Sequence, residues 1–460
     1  MPRPPSVRPA VLTLTRFFGS ANRTWERPIV ADDRCLVVLL EGRRAGVVTM
    51  NTQGRLALSY DEDYLNTADP TPLSLSMPLV QPDHGDGPVR AFLWGLLPDN
   101  EQVLERWART YQVSAGNPFA LLRHVGEDCA GAAQFVRPER VDALKAGKGE
   151  IQWLDDNQVA ERLGLLRRDP TAWHTFDTGQ FSLAGAQAKT ALHYDPDSRR
   201  WGEPSGAIPT THILKPAVTG LDEHDLNEHL CLRAAALLRL PAASSYVERF
   251  GSERVIVVER YDRLRYPDGT VTRIHQEDMC QALGRLPTNK YQNDGGPAPE
   301  QIIAALREQV FPATAATDAI ARFVDALAFN WIIGGTDAHA KNYSVLLAGA
   351  QVRLAPLYDI ASALPYDDMY LPRLRMAMRI GGEYGVDATS GRHWRRFAQA
   401  NLLDPDETIE RIDDLASRTP DAFATAAEDK AVKGLQSQLP ARLVDRIASR
   451  AAQCHRQLEQ

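Results

Sequence analysis

An aspartate and an asparagine with four residues between them, Asp337 and Asn342 in NWIIGGTDAHAKNYSV, have the types and spacing that point most directly to chemistry. A carboxylate so placed can accept the proton of an attacking hydroxyl, while the amide oxygen five positions along turns back to hold magnesium. Asp359, seventeen residues beyond Asn342 in LAPLYDIASAL, follows a β-like apolar run and stands where a second metal carboxylate is expected. Alone, each residue is more often a helix cap or loop residue, because Asp and Asn favour both.

The upstream sequence supplies the other parts of a nucleotide kinase in matching order. In FSLAGAQAKTAL, Ser182, Ala184, Gly185 and Ala186 are small residues between two β-like runs, so backbone N–H groups can approach phosphate oxygens. The motif is neither a Walker A nor a three-glycine loop, and a tight hairpin turn would read the same way. Lys215 ends the apolar THILKP, within reach of α- and β-phosphates or simply solvated. Glu228 lies on the following helix, LNEHLCL, where a carboxylate could orient that lysine or face water. VIVVERYD at 255–262 reads as a hinge whose Glu259 and Tyr261 backbone groups meet an adenine edge, or as an edge strand. The joint order of phosphate loop, lysine, glutamate, hinge, catalytic loop and metal aspartate points to ATP- and Mg2+-dependent phosphoryl transfer.

These residues require a scaffold, and the pattern predicts one. Three β-like runs at 35–40, 45–50 and 55–60, separated by EGRR and NTQG, predict a small antiparallel meander. Segments such as EQVLERWART add helix within a unit ending near 138. From 181 to about 275 strands dominate, with one helix around LNEHLCLRAAALL. Beyond 298 the pattern turns helical, and Ile320, Phe323, Val324, Leu327 and Trp331 recur at intervals of three and four. The expected class is α+β: a two-lobe, protein-kinase-like fold with a sheet-rich N-lobe and a mainly α-helical C-lobe, preceded by a small α+β domain. The expected divisions are a leader at 1–30, an N-terminal domain at 31–140, an N-lobe at 150–275 and a C-lobe at 276–460.

Composition narrows the function classes. The 460 residues carry 52 Lys and Arg against 59 Asp and Glu, a net charge of −7 that argues against a non-specific nucleic-acid coat. The five cysteines form no C-x-x-C pair, which disfavours a disulfide framework or a cysteine zinc site. No run reaches the roughly 18 apolar residues of a membrane span, and no secretory signal is evident, so no membrane partner and a cytoplasmic location are expected.

FSLAGAQAKTAL, THILKP, VERYD, QEDMCQ, NWIIGGTDAHAKN and LYDIASA resemble the corresponding blocks of HipA-type serine/threonine kinases, the toxins of bacterial toxin–antitoxin pairs. PLSLSMPL and FLWGLLPDN resemble the accessory N-terminal domain of full-length HipA proteins, so the resemblance spans nearly the whole chain. It implies that Asp337 accepts the proton, that Asn342 and Asp359 hold magnesium and that Lys215 contacts phosphates. It further implies that Ala184, Gly185, Ala186, Gln187, Ala188 and Lys189 close over ATP and that Glu259, Arg260 and Tyr261 meet adenine. His339, Ala340, Lys341 and Tyr358 complete the implied nucleotide site, with a loop-packing residue as the lesser reading of His339. Ser182 matches the serine at which family members autophosphorylate and inactivate themselves. Ala188 departs from the family, which commonly carries an acidic residue there.

The resemblance also implies partners: a HipB-like helix-turn-helix antitoxin, operator DNA reached mainly through it, and a protein substrate for which an aminoacyl-tRNA synthetase is the family's known type. Residues 371–400 hold Arg373, Arg375, Arg379, Arg392, Arg395 and Arg396 against Glu383 and Asp387, a local excess of four positive charges that fits phosphate contact or a solvated helix face. Three rival classes share some of these features. A small-molecule kinase would need the same electrostatic clamp. A non-catalytic co-repressor would not need the intact Asp337, Asn342, Asp359 and Lys215. A metal-dependent hydrolase on Asp337, His339 and Asp359 would ordinarily need more convergent histidines.

Overall fold

A computed structural model describes residues 33–173, 181–218 and 220–460, and those from 34 onward form one compact unit. The expected leader at 1–30 lies outside the described residues.

The N-terminal sheet is antiparallel. It runs in the order Asp83–His84, Leu56–Tyr60, Arg43–Met50, Cys35–Leu40 and Ala133–Val136. Its first hairpin turns on Glu41 and Gly42, both with positive φ, the conformation that matches the twist of the flanking strands. Its second turn is closed by Asn51, whose side-chain oxygen accepts from the Gln53 and Arg55 N–H groups. The buried face carries Leu36, Val38, Leu40, Leu58 and Phe135 against Phe92, Leu93 and Phe119. Helix Asp86–Gly95 covers that face, and helix Glu101–Tyr111 starts at Asn100, whose side chain caps the Gln102 and Val103 N–H groups. The connector between them, Leu96–Asn100, is thus pinned at both ends.

The second sheet has six antiparallel strands in the order Ser245–Phe250, Glu253–Glu259, His212–Pro216, Thr190–Asp195, Arg200–Pro204 and Ile151–Leu154. Helix His224–Leu237 lies against the first two of these strands and carries ten buried residues. The run expected before the phosphate loop is not a strand. Phe181 pairs with Asp128 in an isolated bridge, and regular strand pairing begins at Thr190.

A three-stranded sheet of His275–Asp278, Ser344–Ala348 and Gln351–Leu354 leads into the helical part. The periodic stripe at 320–331 belongs to helix Ala313–Ile333, where Phe323, Leu327 and Trp331 are fully buried, each worth about 1.5–3 kcal/mol of burial. The helix ends at Gly334, in the left-handed region at φ 64, and a Cβ on Gly335 would collide with the Asn330 side chain. These two glycines turn the chain sharply into Thr336–Asn342. Helices Gly391–Ala400, Pro405–Ala427 and Leu439–Leu458 complete this α-rich part. Among the described residues no helix is long and apolar enough to cross a membrane.

Candidate active site

The strand and helix periodicities converge on one cleft of about 620 Å³, within the range of small-ligand sites. Of the residues singled out from the sequence, Ala184, Gly185, Ala186, Gln187, Lys189, Lys215, Glu228, Glu259, Arg260, Tyr261, Asp337, His339, Lys341, Asn342, Tyr358 and Asp359 line it. Ser182, Ala188 and Ala340 flank it. Ala188 packs on the N-terminal core, and Ala340 is buried with its N–H donating to Lys290 O at 3.3 Å.

Lys215 sits at the centre. Strand geometry points its side chain inward, leaving 7% of it exposed, and its Nζ donates to Glu228 Oε1 at 2.7 Å and Asp359 Oδ1 at 2.6 Å. Both bland readings fail here: the lysine is not solvated, and Glu228, 1% exposed, does not face water. Burial would push the Asp359 carboxyl up, but the Lys215 ammonium, with Lys189 beyond it, outweighs burial and holds the acid well below the carboxylate range. Asp359 itself adopts φ 56, a left-handed conformation uncommon for a non-glycine residue and concentrated at functional sites.

Above Lys215 lies the small-residue loop. Gly185 has φ 102, a backbone conformation that demands glycine, and Lys189 Nζ lies 2.6 Å from where a Cβ would stand. Lys189 folds beneath the loop, donating to Ala184 O at 2.7 Å with its ammonium 5.1 Å from the Trp173 ring centre. Burial and the neighbouring Lys215 bring its pKa down to about 8. Ser182 is fully buried, its Oγ donating to Leu96 O at 2.8 Å.

The catalytic-loop residues divide by exposure. Asp337 leaves 69% of its side chain open at the mouth and accepts from Tyr291 Oη at 2.5 Å. Asn342 is buried, and its Nδ2 donates to the Asp337 carbonyl at 2.8 Å, which turns its amide oxygen to other partners. His339 is buried edge-on against Tyr291, 4.9 Å between ring centres, and burial lowers its pKa. It therefore packs the loop and lines the cleft at once. Tyr358 Oη donates to Lys341 O at 2.6 Å.

The hinge differs from expectation in one detail. The Glu259 N–H donates to Ser244 O and the Arg260 N–H to Thr211 O, both at 2.9 Å, so neither is open to a base edge. The Arg260 guanidinium points away from the strand axis into an ion-pair network with Asp262 and Asp128.

Sequence reasoning missed Asp99, Lys290 and Tyr291. Asp99 accepts from Lys341 Nζ at 2.6 Å and Lys290 Nζ at 2.8 Å. It stands in the quoted FLWGLLPDN, where Pro-Asp-Asn signals only a helix start.

Residues 36–136 match the family model of the HipA N-terminal domain, and residues 181–423 that of the HipA-like C-terminal domain. The chain is also 35% identical to a Sinorhizobium fredii protein that bears a kinase name, Y4mE, over 91% of this chain and 98% of the relative. The chain belongs to the HipA family. A second relative, the serine/threonine-protein kinase toxin HipA of Shewanella oneidensis, is 29% identical over 81% of this chain and 84% of its own. The fold superposes on S. oneidensis HipA solved with HipB and operator DNA, with a TM-score of 0.77 and 25% identity over 92% of this chain and 98% of that one. This HipA-family chain therefore has the family's α+β architecture, with its sheet-rich and helical regions and its N-terminal domain.

Proposed function

We propose that the protein is a serine/threonine protein kinase that transfers the ATP γ-phosphate to a hydroxyl of another protein, as the toxin of a toxin–antitoxin pair. The observation that carries this reading is the buried Lys215–Glu228 pair, the arrangement that orients a phosphate-binding lysine, with Asp359 bonded to the same ammonium. Gly185 and its neighbours offer backbone N–H groups to the phosphates, and Lys341 and Lys189 supply further positive charge. The base lies against Tyr261 and the Glu259 carbonyl side of the hinge.

Asn342 and Asp359 fit magnesium: one offers an amide oxygen and the other an ionised carboxylate, the small donor set suited to an ion that arrives with nucleotide phosphates. Bound there, magnesium supplies charge neutralisation at the phosphates. Asp337, open to solvent and oriented by Tyr291, takes the proton of the incoming hydroxyl. Its exposure favours an acceptor carried on a macromolecule rather than one enclosed in the cleft.

Ser182 is the proposed autophosphorylation site. Its hydroxyl is buried, so transfer to it requires the loop to leave, and the added charge of roughly −1.5 to −2 bars return to that enclosed position. By likeness to the S. oneidensis assembly, the partners are a HipB-like helix-turn-helix antitoxin and, mainly through it, operator DNA. The Arg373–Arg396 region is a hairpin followed by a helix rather than one helical face. Arg373, Arg375, Arg379, Arg392 and Arg396 are exposed, available to phosphates as an accessory contact. An aminoacyl-tRNA synthetase is the proposed class of target.

The test is incubation with magnesium, γ-labelled ATP and a panel of purified aminoacyl-tRNA synthetases, beside a metabolite pool. Label on a synthetase with wild type and none with Asp337→Asn supports the reading. Label on a metabolite alone would replace it with a small-molecule kinase.

A further inference from the structure

Leu96–Asp99, the connector of the N-terminal domain, touches both lips of the cleft. On the phosphate-loop side, Leu96 O accepts from Ser182 Oγ at 2.8 Å, Pro98 pairs with Gly185 in a β-bridge, and the Asp99 N–H donates to Gly185 O at 3.1 Å. On the catalytic-loop side, the Asp99 carboxylate takes Lys341 and Lys290, and the Lys290 carbonyl accepts the Ala340 N–H at 3.3 Å. One residue thus bonds the left-handed glycine of the phosphate loop with its backbone and the lysine next to Asn342 with its side chain.

The connector is stiff. Leu93, Leu96, Leu97 and Val103 are buried in the N-terminal core, Asn100 caps the following helix, and Gln281 Nε2 donates to Phe92 O at 3.0 Å, tying the preceding helix to the segment after Asp278. A surface ion pair would be screened and weak, but the Asp99 and Lys341 side chains are 9% and 3% exposed. The pair also joins residues 242 apart in sequence, so it fixes a tertiary relation that neither loop sets locally.

We propose that Leu96–Asp99 is a strut that sets the spacing between the phosphate loop and the catalytic loop, with Asp99 as a positioning residue that aims Lys341 and Lys290 into the cleft. This rests on the kinase reading for its catalytic consequence, not for its mechanical one. Asp99→Asn keeps the shape and the Gly185 bond while removing the charge that holds both lysines. Misplacement of phosphate-facing groups by about 1 Å can cost on the order of 10²-fold in rate.

The experiment compares wild type, Asp99→Asn and Asp99→Glu as full chains, by steady-state phosphate transfer and by hydrogen–deuterium exchange without nucleotide. In Asp99→Asn, kcat falls by about 10² with a smaller change in the KM for ATP. Exchange at 183–189 and 337–342 rises at least about tenfold, while the hairpin at 245–259 stays at the wild-type rate. Asp99→Glu recovers part of both. Unchanged kcat with unchanged exchange would overturn the strut, as would exchange rising uniformly along the chain, the mark of a merely structural ion pair. Should wild type transfer no phosphate at all, the kinase reading falls and the exchange pattern still decides the strut.

Discussion

Lys215 Nζ donates to Glu228 Oε1 at 2.7 Å with both groups buried, a contact between a strand and the following helix that also faces Asp359. Removing the cation alone by Lys215→Met leaves the buried Glu228 carboxylate without its partner and lowers unfolding free energy by about 3–5 kcal/mol. Removing Glu228 as well relieves part of that cost. A double-mutant cycle by urea denaturation is therefore non-additive by about 1 kcal/mol or more, and additive losses would show that the two residues do not act together.

Asp128 makes a different prediction, about assembly of the whole chain. Its carboxylate accepts from Arg263 and Arg273 at 3.0 Å and from Thr210 Oγ1 at 2.7 Å, joining the N-terminal part to the hinge. Burial would raise this acid, but Arg263, Arg273 and Arg260 together hold it far below the usual range. A carboxylate depressed in the folded state contributes stability that is present above its unfolded value near 3.8 and lost as pH falls through the folded one. Asp128→Ala is thus expected to cost about 3–5 kcal/mol at neutral pH and to lose stability less steeply than wild type below about pH 4. Parallel acid-unfolding curves for the two proteins would refute the assignment.

The buried carboxyl of Glu277 works in the opposite sense. Its Oε1 accepts the Leu75 N–H at 2.7 Å, and burial raises its pKa to about 8. The protonated form is the one folding favours, so its contribution is complete below the unfolded value of 4.5 and is lost as pH rises through about 8. Glu277→Gln, neutral and similar in shape, should melt at a Tm that exceeds wild type by a margin growing from about pH 5 to pH 8. A constant margin across that range would contradict it.

Magnesium dependence follows from the two oxygen donors. Chelation should abolish phosphate transfer in wild type reversibly, and Asn342→Ala should raise the magnesium concentration needed for half-maximal transfer by about tenfold or more. Transfer persisting in excess chelator would remove Asn342 and Asp359 from the metal role.

Much of this architecture was legible in the sequence because its signals are local. The meander expected at 35–40, 45–50 and 55–60 is found at Cys35–Leu40, Arg43–Met50 and Leu56–Tyr60, since alternation and turn residues lie within a few positions of each other. The stripe at 320–331 was visible for the same reason, although helix Ala313–Ile333 begins earlier, in a stretch where small alanines carry little periodic contrast. Asp99 was illegible because its partners Lys290 and Lys341 lie 191 and 242 residues away and no spacing rule reaches that far. The non-strand character of the segment before Gly185 was likewise hidden: its N–H at Ser182 goes to Asp128 O in the N-terminal part rather than to a neighbouring strand.

The most direct test of the central claim is incubation of wild type and Asp337→Asn with magnesium and γ-labelled ATP, followed by peptide mapping, with calorimetry confirming that both bind nucleotide. The account predicts label on Ser182 in wild type and a loss of about 10²-fold or more in Asp337→Asn at similar nucleotide affinity. Equal labelling of the two proteins, or nucleotide binding with no transfer by wild type to itself or to any synthetase, would contradict it.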